Sequence, residues 1–348
     1  MAKSPSEFIY WEQRTRRHLA RKTKFYDPKK VPRLKVLGYT YVRAPTSFDI
    51  YSEETYEITL DFINQVVTQA RLSKVMLDFS ETEQVTAAAV LFLFAQIDTF
   101  LIENKNSRIR IKADSLKGLV KRTILLSGLI DLTLNKPQIT TNGSRYSLPV
   151  TRGTAEGEEF EDVVTHIVKN IYKSDDPEAE RIIGSAVSET VGNVKLHAYP
   201  TDTVGFKPWW MICSVIDDSL YMAIYDIGVG IPKTIHSTPW IRRIVSKTPK
   251  LMQKWSSSRD TDLIDLSMEV GQTQTKLRKH GKGSKSIQAL VSETPKGQLW
   301  IFSNKGLLKE SPMYSKQLIE HDTSIGGTLV QWNIKIRDEK TTVEDKNR

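Results

Sequence analysis

Glu189-Thr-Val-Gly-Asn193-Val-Lys-Leu-His197 sets three polar residues four positions apart on a segment that otherwise reads as a buried helix. Asp176-Pro177 supplies an N-cap and then a proline at the first helical position. Ala179, Ile182, Ile183, Ala186, Val187, Thr190 and Val194 mark one apolar stripe. At ~100° of rotation per residue, Glu189, Asn193 and His197 fall within about 80° of one another, at the edge of that stripe. A carboxylate, an amide and an imidazole are costly to bury without partners. Either an internal hydrogen-bond network satisfies them or a ligand does, and on this segment alone the internal network is the simpler reading.

Two further segments shift that balance. Leu220-Tyr-Met-Ala-Ile-Tyr225 alternates like a strand and runs into Asp226-Ile-Gly228-Val-Gly230-Ile231-Pro232. An aspartate at a strand end can accept a hydrogen bond from an exocyclic amine, and glycines let backbone approach a ligand closely. Alone, this is also an ordinary strand-to-turn exit. Later, Arg278-Lys-His-Gly281-Lys282-Gly283-Ser284 precedes the helix-like Ile287-Gln-Ala-Leu290-Val291. A glycine-rich turn beside cations at a helix N-terminus suits a phosphate. It lacks the spacing of a P-loop, and no G-x-G-x-x-G follows a strand.

The order of these segments resembles the Bergerat-fold ATP-binding (GHKL) superfamily, closest to its histidine-kinase-like and anti-sigma-factor kinase domains. Glu189, Asn193 and His197 match its E-x-x-x-N box with the trailing histidine. Asp226, Gly228, Gly230 and Ile231 match D-x-G-x-G-I, and Gly281 and Gly283 match the G-x-G turn that opens a helix. Gly327-Thr328 matches the closing G-T that enters a terminal strand, here alternating Val330, Trp332, Ile334 and Ile336 against Gln331, Asn333 and Lys335.

The resemblance implies ATP and Mg²⁺ as cofactors. Asn193 is then the metal ligand and Glu189 the general base, acting on water or on a protein hydroxyl. Asp226 reads the adenine amino group with help from Thr328, and Gly228, Gly230 and Ile231 shape the nucleotide pocket. Gly281, Lys282 and Gly283 close over the phosphates, and His197 either helps hold the phosphate end or plays a structural part. Arg278 and Lys195 are weaker phosphate candidates, as readily solvated surface charges. Lys282, Ser284 and Gly192 depart from the common pattern. Residues 231–282 form a long lid that carries Trp240 and Trp255, read as a helical insertion or as a partner contact.

The 348 residues carry a net charge of +9, with 39% hydrophobic and 26% charged residues, which suits a globular protein of two domains. Residues 1–35 hold eleven Lys/Arg and three Asp/Glu, so nearly all of that excess sits in one arm. Its aromatics, including Trp11 and Phe25, fit nucleic-acid stacking or an amphipathic helix docked on the body. The longest apolar run, Ala87 to Ala95, is too short to cross a bilayer, and no signal-like segment opens the chain, so a cytoplasmic location is expected. Cys213, in an apolar strand-like run, reads as a core thiol.

The expected fold is α/β, with an N-terminal αβ domain (36–134) and a C-terminal Bergerat-fold α/β sandwich (158–337) of mixed sheet and helical layer. Residues 135–157 are the expected linker, with a short strand over Arg145 to Val150 inside it, and 338–348 a charged, disordered tail. The N-terminal domain loosely resembles the STAS domains of anti-sigma-factor antagonists, through Asp78-Phe-Ser80 at a strand end and Thr86-Ala87-Ala88-Ala89 opening a helix. The acceptor serine of that family is missing, and Thr86 reads as an N-cap.

Three functional classes follow: an ATP-hydrolysing conformational switch, a serine/threonine protein kinase acting on a STAS-like partner, or a nucleic-acid-binding regulator using residues 1–35. The partners implied are ATP, another protein, nucleic acid through the arm and a second copy of the chain, with no membrane. Histidine-kinase chemistry fits less well, because His166 lacks the flanking acidic residue and the paired helix of a phosphoacceptor.

Overall fold

The structure, a computed structural model, describes residues 35–36, 38–136, 147–154, 157, 159–172, 177–200, 206–216, 219–274, 283–292, 297–312 and 314–335. The arm before Lys35, Arg278, Gly281, Lys282 and the tail 338–348 therefore lie outside the described residues.

The N-terminal part runs β1 (Lys35–Val36), β2 (Tyr39–Arg43), β3 (Ser47–Phe48), α1 (Glu53–Leu72), β4 (Lys74–Asp78), β5 (Gln84–Val85), α2 (Ala87–Glu103), β6 (Ile109–Ile111), α3 (Gly118–Leu126) and α4 (Leu129–Thr133). Strands β2, β4 and β6 are parallel neighbours and β1 is an antiparallel edge. The helical crossovers between β2, β4 and β6 permit the parallel pairing. Glu53 and Glu54 in the first turn of α1 and Arg71 in its last complement the helix dipole. Thr86 caps α2, its Oγ1 accepting from Ala89 N at 3.4 Å.

The remainder begins with β7 (Ser147–Thr154), α5 (Glu159–His166), α6 (Pro177–Asn193), β8 (Pro208–Ile216) and β9 (Ser219–Asp226). It continues with α7 (Ile231–Ser237), α8 (Pro239–Val245), α9 (Pro249–Trp255), α10 (Asp260–Gln274) and α11 (Gly283–Ser292). It closes with β10 (Gln298–Ser303), β11 (Gly306–Ser311), β12 (Tyr314–Glu320) and β13 (Thr328–Lys335). The seven strands order as β12-β11-β10-β13-β9-β8-β7.

The chain is thus mixed α/β, as expected, but the sheets differ from expectation. Every pairing in the seven-stranded sheet is antiparallel. Short turns join β8 to β9, β10 to β11 and β11 to β12, and such connections demand antiparallel neighbours. The mixed sheet is the N-terminal one. The expected linker 135–157 contains β7, the edge strand beside β8, with Pro149 falling in a register irregularity between Leu148 and Thr151.

Strand alternation divides the large sheet into two buried faces. Trp209, Met211, Ile224, Ile301, Val330 and Trp332 face α5, α6, α10 and α11 in one core. Trp210, Ala223, Tyr225, Phe302 and Leu329 face the other way, into a core continuous with α1, α2 and the N-terminal sheet. Helix α2 is apolar on nearly every side because it packs on β8 and β9 of the large sheet and on α1, α3 and α4 of its own part. Trp210 Nε1 donates to Asp98 Oδ2 at 2.8 Å, and Asp98 also pairs with Arg152 at 3.0 Å. On the strand face that alternates polar residues, Gln331 is buried and hydrogen-bonds Tyr51, Asn333 is half-buried and Lys335 is exposed. Cys213 is buried, which raises its thiol pKa.

The described part of the lid, 231–274, is a helical subdomain with its own cluster of Ile235, Ile241, Val245, Leu251, Leu263, Leu266 and Val270. Lys254 bridges Asp265 at 2.5 Å and Glu269 at 2.7 Å, and Lys316 of β12 reaches Asp265 at 2.6 Å. Glu320 accepts from the backbone N–H groups of Asp260 and Thr261, capping α10 from the sheet edge. His166 ends α5 and contacts Asn170 through its ring.

Candidate functional site

Helix α6 reaches Asn193 and continues as a π-helical turn, Val194–Ala198. Such wide turns recur at functional sites. Glu189, Asn193 and His197 still share one surface: all three line a cavity of about 250 Å³ between α6, the sheet and the lid.

The floor of that cavity is set by strand register. Asp226 pairs with Thr328, and Thr328 with Ser303, so three polar residues form one cross-strand row. The next inward row on the same face is Ile224, Val330 and Ile301. Asp226, Thr328 and the whole apolar row line the cavity; Gly230 and Ile231 add one edge, and Ile287 of α11 another. Seven of the residues singled out from sequence are therefore brought together: Glu189, Asn193, His197, Asp226, Gly230, Ile231 and Thr328.

Gly228 is not part of the lining, and Gly230 serves a different purpose from the one expected. A Cβ on Gly228 would lie 2.2 Å from the carbonyl oxygen of Ala198. Val229 N donates to that same oxygen at 2.7 Å. A Cβ on Gly230, whose φ is +82°, would meet the Asn304 side chain at 2.7 Å. These glycines let the 226–231 turn press against the end of α6 and the β10–β11 hairpin, so protein contacts suffice to explain them. Gly283 opens α11, which packs along α6. Lys195 is exposed and outside the lining.

Ser303 and Asn304 were not singled out from sequence. Ser303 Oγ accepts from Ile231 N at 2.8 Å and lies 3.0 Å from Thr328 Oγ1. Asn304 Nδ2 donates to Val229 O at 3.2 Å. Their hairpin turn was readable between apolar runs; its placement under the 226–231 turn depends on the β10–β13–β9 order. Thr234, Thr238, Trp240 and Ser267 of the lid also line the cavity.

Asp226 is 5% exposed, and burial lifts its carboxyl pKa to about 7, against hydrogen bonds from the N–H groups of Gly228 and Thr328. Among the described residues no cation pairs with it. It is an acceptor held ready in an apolar setting. Burial also raises the Glu189 carboxyl, which favours proton transfer near neutrality, and lowers His197, which favours neutral imidazole. Among the described residues no cluster of three or more His, Cys, Asp or Glu could hold a metal ion. Asn193 and Glu189 offer only hard oxygen donors, so a cation here would need most of its oxygens from a ligand and water.

Comparison with models of known protein families, with curated proteins and with solved structures yields no match. No helix among the described residues is long and apolar enough to cross a membrane.

Proposed function

We propose that this chain binds Mg·ATP in the 250 Å³ cavity and turns it over slowly as a conformational switch. One observation carries the reading: a buried, unpaired carboxylate and the Glu189–Asn193–His197 face of α6 line the same cavity. The donor set fits the nucleotide chemistry. Asp226 accepts from the adenine amino group, beside the Thr328 hydroxyl. The row of Ile224, Val330 and Ile301 supplies apolar surface for the base.

Asn193 holds magnesium through its amide oxygen. Magnesium held there would supply charge neutralisation and Lewis-acid polarisation at the phosphates. Glu189 takes the proton from the attacking water and so orients it. The cavity does not enclose a whole triphosphate by volume, so the phosphates extend beyond it.

The protein-kinase reading needs an acceptor hydroxyl. Thr86, the nearest counterpart in the N-terminal part, is engaged as the cap of α2. Incubation with γ-labelled ATP tests this: free phosphate, with no label on the chain, is the expected result. Label accumulating on this chain or on an added STAS-type protein, without free phosphate, would replace the switch with a kinase.

A second expectation concerns pH. Adenine binding favours ionised Asp226, so affinity for Mg·ATP should rise from pH 6 to pH 8, levelling above about 7. The same raised pKa makes apo stability fall as pH climbs from about 4 to 7, since the native state there binds the extra proton. Asp226→Asn should lose nucleotide binding at every pH and should remove the pH dependence of apo stability, measured by thermal melts across that range.

A further inference from the structure

Residues 227–259 contain seven Lys and Arg and not one Asp or Glu. This carboxylate-free stretch is the outer part of the lid, α7 through α9. Lys254 is neutralised internally by Asp265 and Glu269 of α10. Lys233, Arg242, Arg243, Lys247, Lys250 and Arg259 are exposed. Among the described residues none of these six has a carboxylate within ion-pair distance.

The cations are organised around a concavity. His236, Ser237, Thr238, Arg242, Arg243 and Ser246 line an open hollow of about 450 Å³. Its only other lining residue is Pro239. Helix α8 partitions this hollow from the nucleotide cavity: Trp240 and Ile241 face the cavity, while Arg242, Arg243 and Ser246 face outward. Thr238 borders both.

We infer that this outer face of the lid binds the phosphodiester backbone of a nucleic acid. Two exposed guanidinium forks and an imidazole supply donors matched to phosphate oxygens, while the hydroxyls of Ser237, Thr238 and Ser246 donate to backbone carbonyls of the lid itself. In the chain, exposed Lys233 precedes the residues of the hollow and exposed Lys247 and Lys250 follow them, so the same stretch carries further cations for a repeating polyanion. A protein-docking surface needs an apolar centre, and a membrane-binding one needs apolar residues to insert. The hollow offers only a proline. Recognition is therefore of backbone rather than base sequence. The inference concerns the lid and not the N-terminal arm, and it does not depend on the nucleotide reading.

The test is fluorescence anisotropy with the full chain and no ATP, using labelled DNA and RNA duplexes of about 25 base pairs between ~50 and ~200 mM salt. Arg242→Gln/Arg243→Gln should weaken binding at least ~10-fold at the lower salt and reduce the log–log salt slope by about two. Both side chains are exposed, so the melting temperature should hold; Lys247→Gln/Lys250→Gln repeats the test if it does not. Binding to either duplex with that loss supports the inference. Unchanged affinity and slope in both variants would overturn it and leave any binding to the arm. So would a parent chain that ignores both duplexes yet binds polyglutamate or anionic vesicles.

Discussion

Glu189→Gln should cut phosphate release from Mg·ATP by ~10²–10⁴-fold while leaving nucleotide affinity within a few-fold of the parent. The substitution preserves size and hydrogen bonding but cannot accept a proton. The expected size follows from position: Glu189 lines the cavity one helical turn before Asn193, in surroundings that raise its carboxyl toward neutrality. A single-turnover assay separates the chemical step from binding. Release at the parent rate would remove Glu189 as the base and leave His197 as the remaining titratable group on that face. A parallel loss of affinity would instead make Glu189 a binding residue.

Trp210→Ala should destabilise the chain by about 3–5 kcal/mol, and the N-terminal and C-terminal parts should still unfold in one transition. Trp210 is fully buried on the face of the sheet opposite the cavity, stacked 6.2 Å from Tyr225. Truncation opens a cavity and also removes the donor at 2.8 Å from Asp98. The single transition follows from the continuous core that joins α2 to β8 and β9. Denaturant unfolding followed by far-ultraviolet dichroism and by tryptophan fluorescence reports both parts. Two separated transitions would mean that the parts are independent domains packed side by side.

That shared core also ties the N-terminal part to the cavity. Tyr225 Oη receives a hydrogen bond from Gln96 of α2 and donates to Gly326 O at 2.5 Å. Glu57 of α1 accepts from the N–H groups of Asp322 and Thr323, and Tyr56 donates to Thr323 O. The loop so gripped leads into Gly327-Thr328, at the polar row of the cavity floor. Movement at the cavity floor thus has a short covalent and hydrogen-bonded path to α1 and α2, as the proposed switch would need.

Local signals made α6 readable from the chain itself, because capping, apolar spacing and the polar i, i+4 set all agree there. Strand β9 and its exit were equally plain, since alternation and the Asp-x-Gly-x-Gly turn are encoded within a dozen residues. What stayed hidden depends on distant partners. The burial of Gln331 and Tyr225 follows only once the N-terminal core is placed against them. Strand β7 was legible only in part: a short strand over 145–150 was expected, but Pro149 and Gly153 read as turn residues and hid its run to Thr154 as an edge strand with an irregular register. The glycines at 228 and 230 were found for the right position and the wrong reason: their missing Cβ atoms face Ala198 and Asn304, residues no local pattern could connect to them.

Calorimetric titration of Mg·ATP into the full chain tests the central claim most directly. The account predicts saturable binding of one nucleotide, lost in Asp226→Asn and no longer magnesium-dependent in Asn193→Ala. Absence of binding heat at ~1 mM nucleotide, together with an unchanged melting temperature, would contradict it.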